Sequence, residues 1–80
     1  ISRYAVIGAN CRIYQNVTIG EVERKAPTVA DNCLIGAGAI LVGGIRIGDN
    51  VKIGAGAVVH TDIPDNCTVV PPPVRIIEKG

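Results

Sequence analysis

The sequence predicts an all-β fold, a parallel β-helix of about three triangular coils, and three observations predict it. Aliphatic residues recur every six positions, a short motif returns after 18 residues, and large side chains are nearly absent. The 80-residue chain is 48% hydrophobic but has two tyrosines and no Phe, Trp or Met. Because rings and methionines usually fill irregular space, a core without them must be narrow and regular.

The period of six defines the sides of the coil. Ile, Val or Leu occupies positions 1, 7, 13 and 19, and then 29, 35, 41, 47, 53 and 59. This period matches neither a helix of 3.6 residues per turn nor an uninterrupted strand of period two. It fits a short strand followed by a corner. Three such sides close a coil of 18 residues, and successive coils stack about 4.8 Å apart.

The corners are marked by residues that accept a left-handed backbone or close an Asx turn. Three positions after the repeated aliphatics come Asn10, Asn16, Asn32, Gly38, Gly44, Asn50, Gly56 and Asp62. The segment IGAGA occurs at 35–39 and again at 53–57, a shift of one coil. Each hexad is therefore expected to contain one corner.

Stacking in register predicts columns of inward side chains. The three aliphatic columns are Ile7, Val29 and Ile47; Ile13, Ile35 and Ile53; and Ile1, Ile19, Leu41 and Val59. A further inward column begins with Cys11 and Cys33 and continues with Val51. The three cysteines, with Cys67, are expected to be reduced, because in-register neighbours point parallel whereas a disulfide needs a dihedral near 90°. Reduced thiols are typical of a cytoplasmic protein.

One insertion interrupts the period, and a proline-rich tail ends it. The segment 20–28 is four residues longer than the period allows, and four of its nine residues are charged. We expect it to project from a corner into solvent or toward a neighbour. The solenoid is expected over 1–70 and an extended tail over 71–80, since Pro71, Pro72 and Pro73 cannot donate ladder hydrogen bonds. The start in mid-pattern favours a C-terminal piece of a longer chain.

Charge and hydropathy exclude several classes of function. The net charge is +1 and no basic run exceeds Arg24–Lys25, so nucleic-acid binding through a charged surface is not expected. No apolar stretch approaches the roughly 18 residues of a membrane span. His60 is the only histidine, whereas zinc catalysis needs about three protein ligands, so no metal site is expected. His60 follows Val59 at an outward position. Two interpretations stay open for it, a general base and an ordinary exposed corner residue.

These hexads, with IGAGA twice, resemble the hexapeptide-repeat acyltransferases. The greatest likeness is to the C-terminal domain of the serine O-acetyltransferases. The order of segments 16–20, 27–32 and 35–39 matches that family, as does the run 62–66 ahead of Pro73-Val74-Arg75. The resemblance implies a left-handed β-helix, acetyl transfer from acetyl-CoA to the hydroxyl of L-serine in cysteine biosynthesis, and a homotrimer.

The resemblance also implies a coenzyme site in the groove between adjacent solenoids. In the family the small residues of the two IGAGA corners, here Ala37 and Ala55, line the pantetheine arm. His60 and the tail arginine, Arg75, would then lie near the far end of the coenzyme. A thin ligand needs small wall residues and a phosphate needs a cation, which agrees with this assignment.

Three departures from the family pattern bear on catalysis. The family's His-containing catalytic segment lies just before the stretch matching Ile1, so no catalytic residue is assigned in this chain. Many members carry a histidine before the corner-loop proline, where this chain has Ala26. The Gly of the tail's Gly-x-Pro motif is replaced by Pro71. The alternatives are a sugar O- or N-acetyltransferase of the same superfamily, or a non-catalytic trimeric solenoid.

Overall fold

The structure, a computed structural model, describes residues 1–74 and 76–78. It is a left-handed parallel β-helix with no α-helix in these residues, which confirms the predicted fold class. The strands are β1 (Val6–Ile7), β2 (Arg12–Ile13), β3 (Thr18–Gly20), β4 (Thr28–Val29), β5 (Leu34–Ile35), β6 (Ile40–Val42), β7 (Arg46–Ile47), β8 (Lys52–Ile53), β9 (Val58–Val59) and β10 (Thr68–Val69). None of the described residues forms a helix long and apolar enough to cross a membrane.

The strands stack into three parallel sheets that form the faces of a prism. The first face contains β1, β4 and β7, the second β2, β5, β8 and β10, and the third β3, β6 and β9. The first corner joins the first face to the second, the second corner joins the second face to the third, and the third corner completes the turn. The pairings Ile7–Val29–Ile47, Ile13–Ile35–Ile53 and Ile19–Leu41–Val59 confirm the predicted aliphatic columns.

Ile1 keeps the register predicted for the head of the third column, but its side chain is not buried. Its side chain is 74% exposed. It precedes the first strand, at an end of the prism where no described coil stacks above it. The Ser2 amide donates to the Ile19 carbonyl at 2.7 Å, as the Gly8 amide donates to the Val29 carbonyl, so Ile1 lies level with Ile19. The interior therefore closes progressively, and Ile35, Leu41, Ile47 and Ile53 in the middle coils are fully buried.

The stack continues past the point where the sequence period fails, giving about four turns. Ile63 bridges in parallel to Ile47, and β10 pairs with β8 so that Val69 lies opposite Ile53. Both pairings are offset by 16 residues rather than 18. The last coil is shorter by two residues at the third corner, where Asp62 accepts a hydrogen bond from the Arg46 amide at 2.9 Å. Omitting two residues hides the repeat in the sequence without ending it in space.

The first corner is built from a ladder of Asp and Asn residues. Its four asparagines have positive φ angles of 57° to 61°: Asn10, Asn32, Asn50 and Asn66. The aspartates before three of them bind the coil above. Asp31 accepts from the Ala9 amide at 2.8 Å, Asp49 from the Asp31 amide at 2.9 Å, and Asp65 from the Asp49 amide at 2.7 Å. Each carboxylate thus satisfies a backbone donor that the turn leaves free of a ladder partner.

The insertion lies at the third corner and folds into a tight hairpin. Val22 and Lys25 exchange two backbone hydrogen bonds of 2.8 and 2.9 Å, and the two residues between them have positive φ angles. The aliphatic stem of Lys25 lies against the next coil, because a β-carbon on Gly44 would be 2.9 Å from the Lys25 β-carbon. At the other end, the Ser2 hydroxyl donates to Glu21 at 3.2 Å. The hairpin is therefore exposed but held along the prism edge.

The cysteines lie in one column and all three are unpaired. The Cys33 thiol is buried and donates to the Gly48 carbonyl at 3.0 Å, while that of Cys11 donates to the Ala30 carbonyl at 3.1 Å. Desolvation raises the pKa of the Cys33 thiol, and the neighbouring Cys11 adds to the rise, against an opposing hydrogen bond from the Val51 backbone. Cys33 is therefore a buried packing residue, as the sequence predicts.

Candidate functional site

The second corner brings together the two alanines that the sequence singled out. Ala37 follows β5 and Ala55 follows β8, so they lie on adjacent coils of the same edge. The Gly56 amide donates to the Ala37 carbonyl at 2.9 Å, which fixes this register. Ala37 is half-buried and Ala55 is exposed. The two methyl groups therefore form part of one continuous surface strip.

Glycines at the two turns leave this strip without further side chains. Gly38 and Gly56 make the turn with φ angles of 71° and 75°, and a β-carbon on either would meet nothing within 4 Å. The backbone at both corners is thus open to any ligand that lies along the edge. Gly36 serves the opposite purpose: a β-carbon there would be 2.6 Å from the Ala55 amide nitrogen, so the absence of a side chain lets the coils close.

Larger residues bound the strip at its two ends. On the preceding coil, Tyr14 and Gln15 are both exposed, and the Gln15 carbonyl accepts from the Gly38 amide at 3.0 Å. On the last coil, Pro71 approaches to 3.1 Å from where a β-carbon of Gly54 would lie. Sequence reasoning missed these boundaries. The six-residue repeat could have indicated the first of them, because Gln15 occupies the same repeat position as Ala37 and Ala55 and is larger than either.

The structure does not bring His60 to this corner. His60 follows β9 and lies exposed at the third corner, so the whole width of the third face separates it from Ala37 and Ala55. Its predicted place beside the coenzyme stays a prediction and requires a ligand or a neighbouring chain that spans this face. Arg75, the other predicted coenzyme contact, lies outside the described residues.

The second corner has no charged side chains. No charged residue occurs in 36–39 or 54–57, and the described part of the chain buries no charged side chain. Its one ion pair, Arg46 with Asp65 at 4.0 Å, lies elsewhere and is exposed on both sides, so it contributes little to stability. This arrangement suits a thin, largely uncharged ligand segment held against small residues and open backbone. It supplies no group there that could transfer a proton.

Comparison with known proteins agrees with the repeat pattern. Residues 26–61 match the family model described as bacterial transferase hexapeptide (six repeats). A serine acetyltransferase of Synechococcus elongatus is 48% identical over 84 aligned residues, which cover 100% of this chain and 34% of that protein. The resemblance to serine acetyltransferases is confirmed.

Solved structures of serine acetyltransferases have the same fold. The enzyme of Neisseria gonorrhoeae in complex with serine has a TM-score of 0.85 at 44% identity, covering 94% of this chain and 32% of that one. Isoform 3 of Entamoeba histolytica in complex with cysteine has a TM-score of 0.84 at 40% identity, covering 98% and 30%. The chain thus spans about a third of the length of these serine acetyltransferases.

Proposed function

We propose that this chain is the coenzyme-binding solenoid of an acetyl-CoA-dependent serine O-acetyltransferase acting in cysteine biosynthesis. The observation that carries the proposal is the surface strip at the second corner, where Ala37 and Ala55 are the only side chains larger than glycine on the outer turns. It occurs in a chain similar to serine acetyltransferases over nearly its whole length. The serine in the Neisseria gonorrhoeae complex supports L-serine as the acceptor.

The second corner fits the pantetheine arm of acetyl-CoA. This arm is thin and extended, so it needs small residues along its path and polar backbone groups within reach. Ala37 and Ala55 would contact it on one side, with Tyr14 and Pro71 at the ends of the strip. The corner is a convex edge, and no enclosed pocket lies in the described part of one chain. On this proposal a neighbouring chain supplies the second wall, in a homotrimer.

Acetyl transfer also requires a base. The serine hydroxyl oxygen attacks the thioester carbonyl, the base takes the hydroxyl proton, and coenzyme A leaves as a thiolate that is then protonated. The base must lie within about 3 Å of the hydroxyl, directly or through one water. His60 lies at another corner, and the carboxylates Glu21 and Glu23 are exposed on the hairpin. The proposal therefore places the base on a histidine in a part of the enzyme outside these 80 residues.

Replacement of Ala55 by Leu tests the coenzyme site. A leucine at this exposed corner should obstruct the strip while leaving the buried columns unchanged, so coenzyme A affinity measured by calorimetric titration should fall with little change in melting temperature. Ala9→Leu is a matched control, since Ala9 is an exposed corner alanine on a different edge. Unchanged binding in Ala55→Leu would show that the coenzyme lies elsewhere.

A thiol-release assay tests the placement of the base. The 80-residue chain should show negligible serine acetylation, since general-base catalysis supplies about 10²–10⁴-fold. A longer chain that includes the upstream His-containing segment should turn over serine. Robust turnover by the 80 residues alone, abolished in His60→Ala, would contradict the proposal and identify His60 as the base.

A further inference from the structure

Two of the three cysteines form a pair of neighbouring thiols inside the prism. The Arg12 amide donates to the Cys33 carbonyl at 2.9 Å, and Arg12 pairs with Leu34, so Cys11 and Cys33 are register partners on adjacent coils. A hydrogen bond between the two thiols adds to the rise of the Cys33 pKa. Cys33 is buried, Cys11 is half-buried, and neither is in a disulfide. The acetyl transfer proposed above uses neither thiol.

The two cysteine side chains have the same orientation. Each thiol donates to a carbonyl on the following coil, that of Ala30 for Cys11 at 3.1 Å and that of Gly48 for Cys33 at 3.0 Å. Each sulfur also lies near the carbonyl two residues earlier in its own coil, at 3.8 and 3.7 Å. The two side chains are therefore parallel, and their sulfurs are separated by about one coil spacing, about 4.8 Å.

This separation suits a metal ion better than a disulfide. A sulfur–sulfur bond is about 2.05 Å long and needs a dihedral angle near 90°, which parallel side chains do not provide. Two metal–thiolate bonds of about 2.3 Å each, placed end to end, span about 4.6 Å. An ion between the two sulfurs would therefore require little movement of either coil.

We propose that Cys11 and Cys33 form a binding site for Cu(I), held in a line between their two sulfurs. Thiolate sulfur is a soft ligand that selects Cu(I), and this ion is stable with two such ligands. Zn(II) takes four ligands in structural sites. The described residues bring together no group of three or more His, Cys, Asp or Glu side chains that could hold it. The number and the kind of ligands therefore select the ion.

Binding exchanges two protons for one metal ion. Each thiol releases its proton and forms one copper–sulfur bond, no electron is transferred, and copper stays Cu(I). The resulting unit carries one negative charge, which costs less to bury than two separate thiolates. The half-buried Cys11 provides the route of entry, which a buried site requires. Because the folded chain alone holds the two thiols side by side, the bound ion would tie the first two coils together and stabilise the fold.

Valine substitutions remove the two ligands without disturbing the column. Val51 is the next residue of this column and is fully buried, so valine fits the position. We would titrate the reduced protein with Cu(I) in the absence of oxygen, in competition with the chelator bicinchoninate. The wild type should bind one ion per chain and melt at a higher temperature with Cu(I) than without it. Cys11→Val and Cys33→Val should each lose both effects.

Cys67→Ala is the matched control for this titration. Cys67 is unpaired, and Val51 separates it from Cys33 in the same column. Its removal should leave the bound ion and the rise in melting temperature unchanged. Cu(I) binding that persists in Cys33→Val, or that is lost equally in Cys67→Ala, would overturn the proposal.

Two further measurements separate this site from the other chemistry of a thiol pair. Zn(II) in place of Cu(I) should leave the melting temperature unchanged, and an equal rise that is lost in Cys33→Val would overturn the choice of ion. Incubation of the metal-free protein with oxidised glutathione should form no disulfide between Cys11 and Cys33. Such a disulfide, identified by peptide mass mapping, would overturn the parallel geometry. None of these measurements uses coenzyme A, so their outcome is independent of the proposed function.

Discussion

Gly36 lies directly against the backbone of Ala55, so closely that a β-carbon on Gly36 would be 2.6 Å from the Ala55 amide nitrogen. Gly36→Ala should therefore force adjacent coils apart, and overpacking of this kind costs about 1–3 kcal/mol. Urea unfolding followed by circular dichroism measures the loss.

Gly20→Ala is the control for this substitution. A β-carbon on Gly20 would lie 3.6 Å from Cγ1 of Val42, an ordinary contact, and Gly20 has no positive φ. The free energy of unfolding of Gly20→Ala should be unchanged or rise by about 0.4–1 kcal/mol, because alanine reduces the entropy of the unfolded chain. Equal destabilisation by both substitutions would show that the close approach to Ala55 is not the cause.

The carboxylate ladder of the first corner should contribute measurably to stability. Asp49 accepts from the Asp31 amide at 2.9 Å, and its own amide donates to Asp65. Asp49→Ala removes the acceptor and should lower the free energy of unfolding by about 1 kcal/mol. Asp49→Asn keeps an acceptor oxygen and should lose less, so a larger loss in Asn than in Ala would argue against the hydrogen bond.

The middle of the aliphatic column should be the most sensitive part of the fold. Ile35 is fully buried and stacks between Ile13 and Ile53. Ile35→Ala should cost about 2–5 kcal/mol, a large fraction of the total stability of a small domain. Ile76 is 82% exposed on the tail, so Ile76→Ala should leave the denaturation midpoint unchanged.

The buried thiol of Cys33 should make stability fall at alkaline pH. Desolvation raises its pKa in the folded state, so the unfolded chain releases the proton first. The stabilising contribution is complete below the ordinary range of a thiol, about 8.5, and is lost as the pH rises through the raised value. Unfolding free energies from about pH 7 to about pH 10 should fall less steeply in Cys33→Ala than in the wild type.

Cys67→Ala provides the comparison for the alkaline effect. Cys67 is unpaired and half-buried near the last coil. Its removal should leave most of the alkaline loss in place, since the desolvated thiol of Cys33 would remain. If Cys33→Ala and Cys67→Ala were equally insensitive to alkaline pH, the burial of Cys33 would not be the origin of the alkaline loss of stability.

The sequence alone determined the architecture, because the same aliphatic and corner residues recur every six positions. Positions such as Ile35 and Ile53 can face a narrow core only if the chain turns every six residues, and Asn32 and Asn50 supply the left-handed residues that those turns need. The same logic placed Ala37 and Ala55 on one edge, since a shift of 18 residues is one coil. Periodicity is a local property, and local properties can be read without coordinates.

Tertiary structure decided what the period does not encode. It showed that the stack continues through Ile63 and Val69, because hydrogen bonds and side-chain stacking tolerate a corner shortened by two residues. Where the repeat is irregular, the register is set by hydrogen bonds and packing between coils, which the period of the sequence does not record.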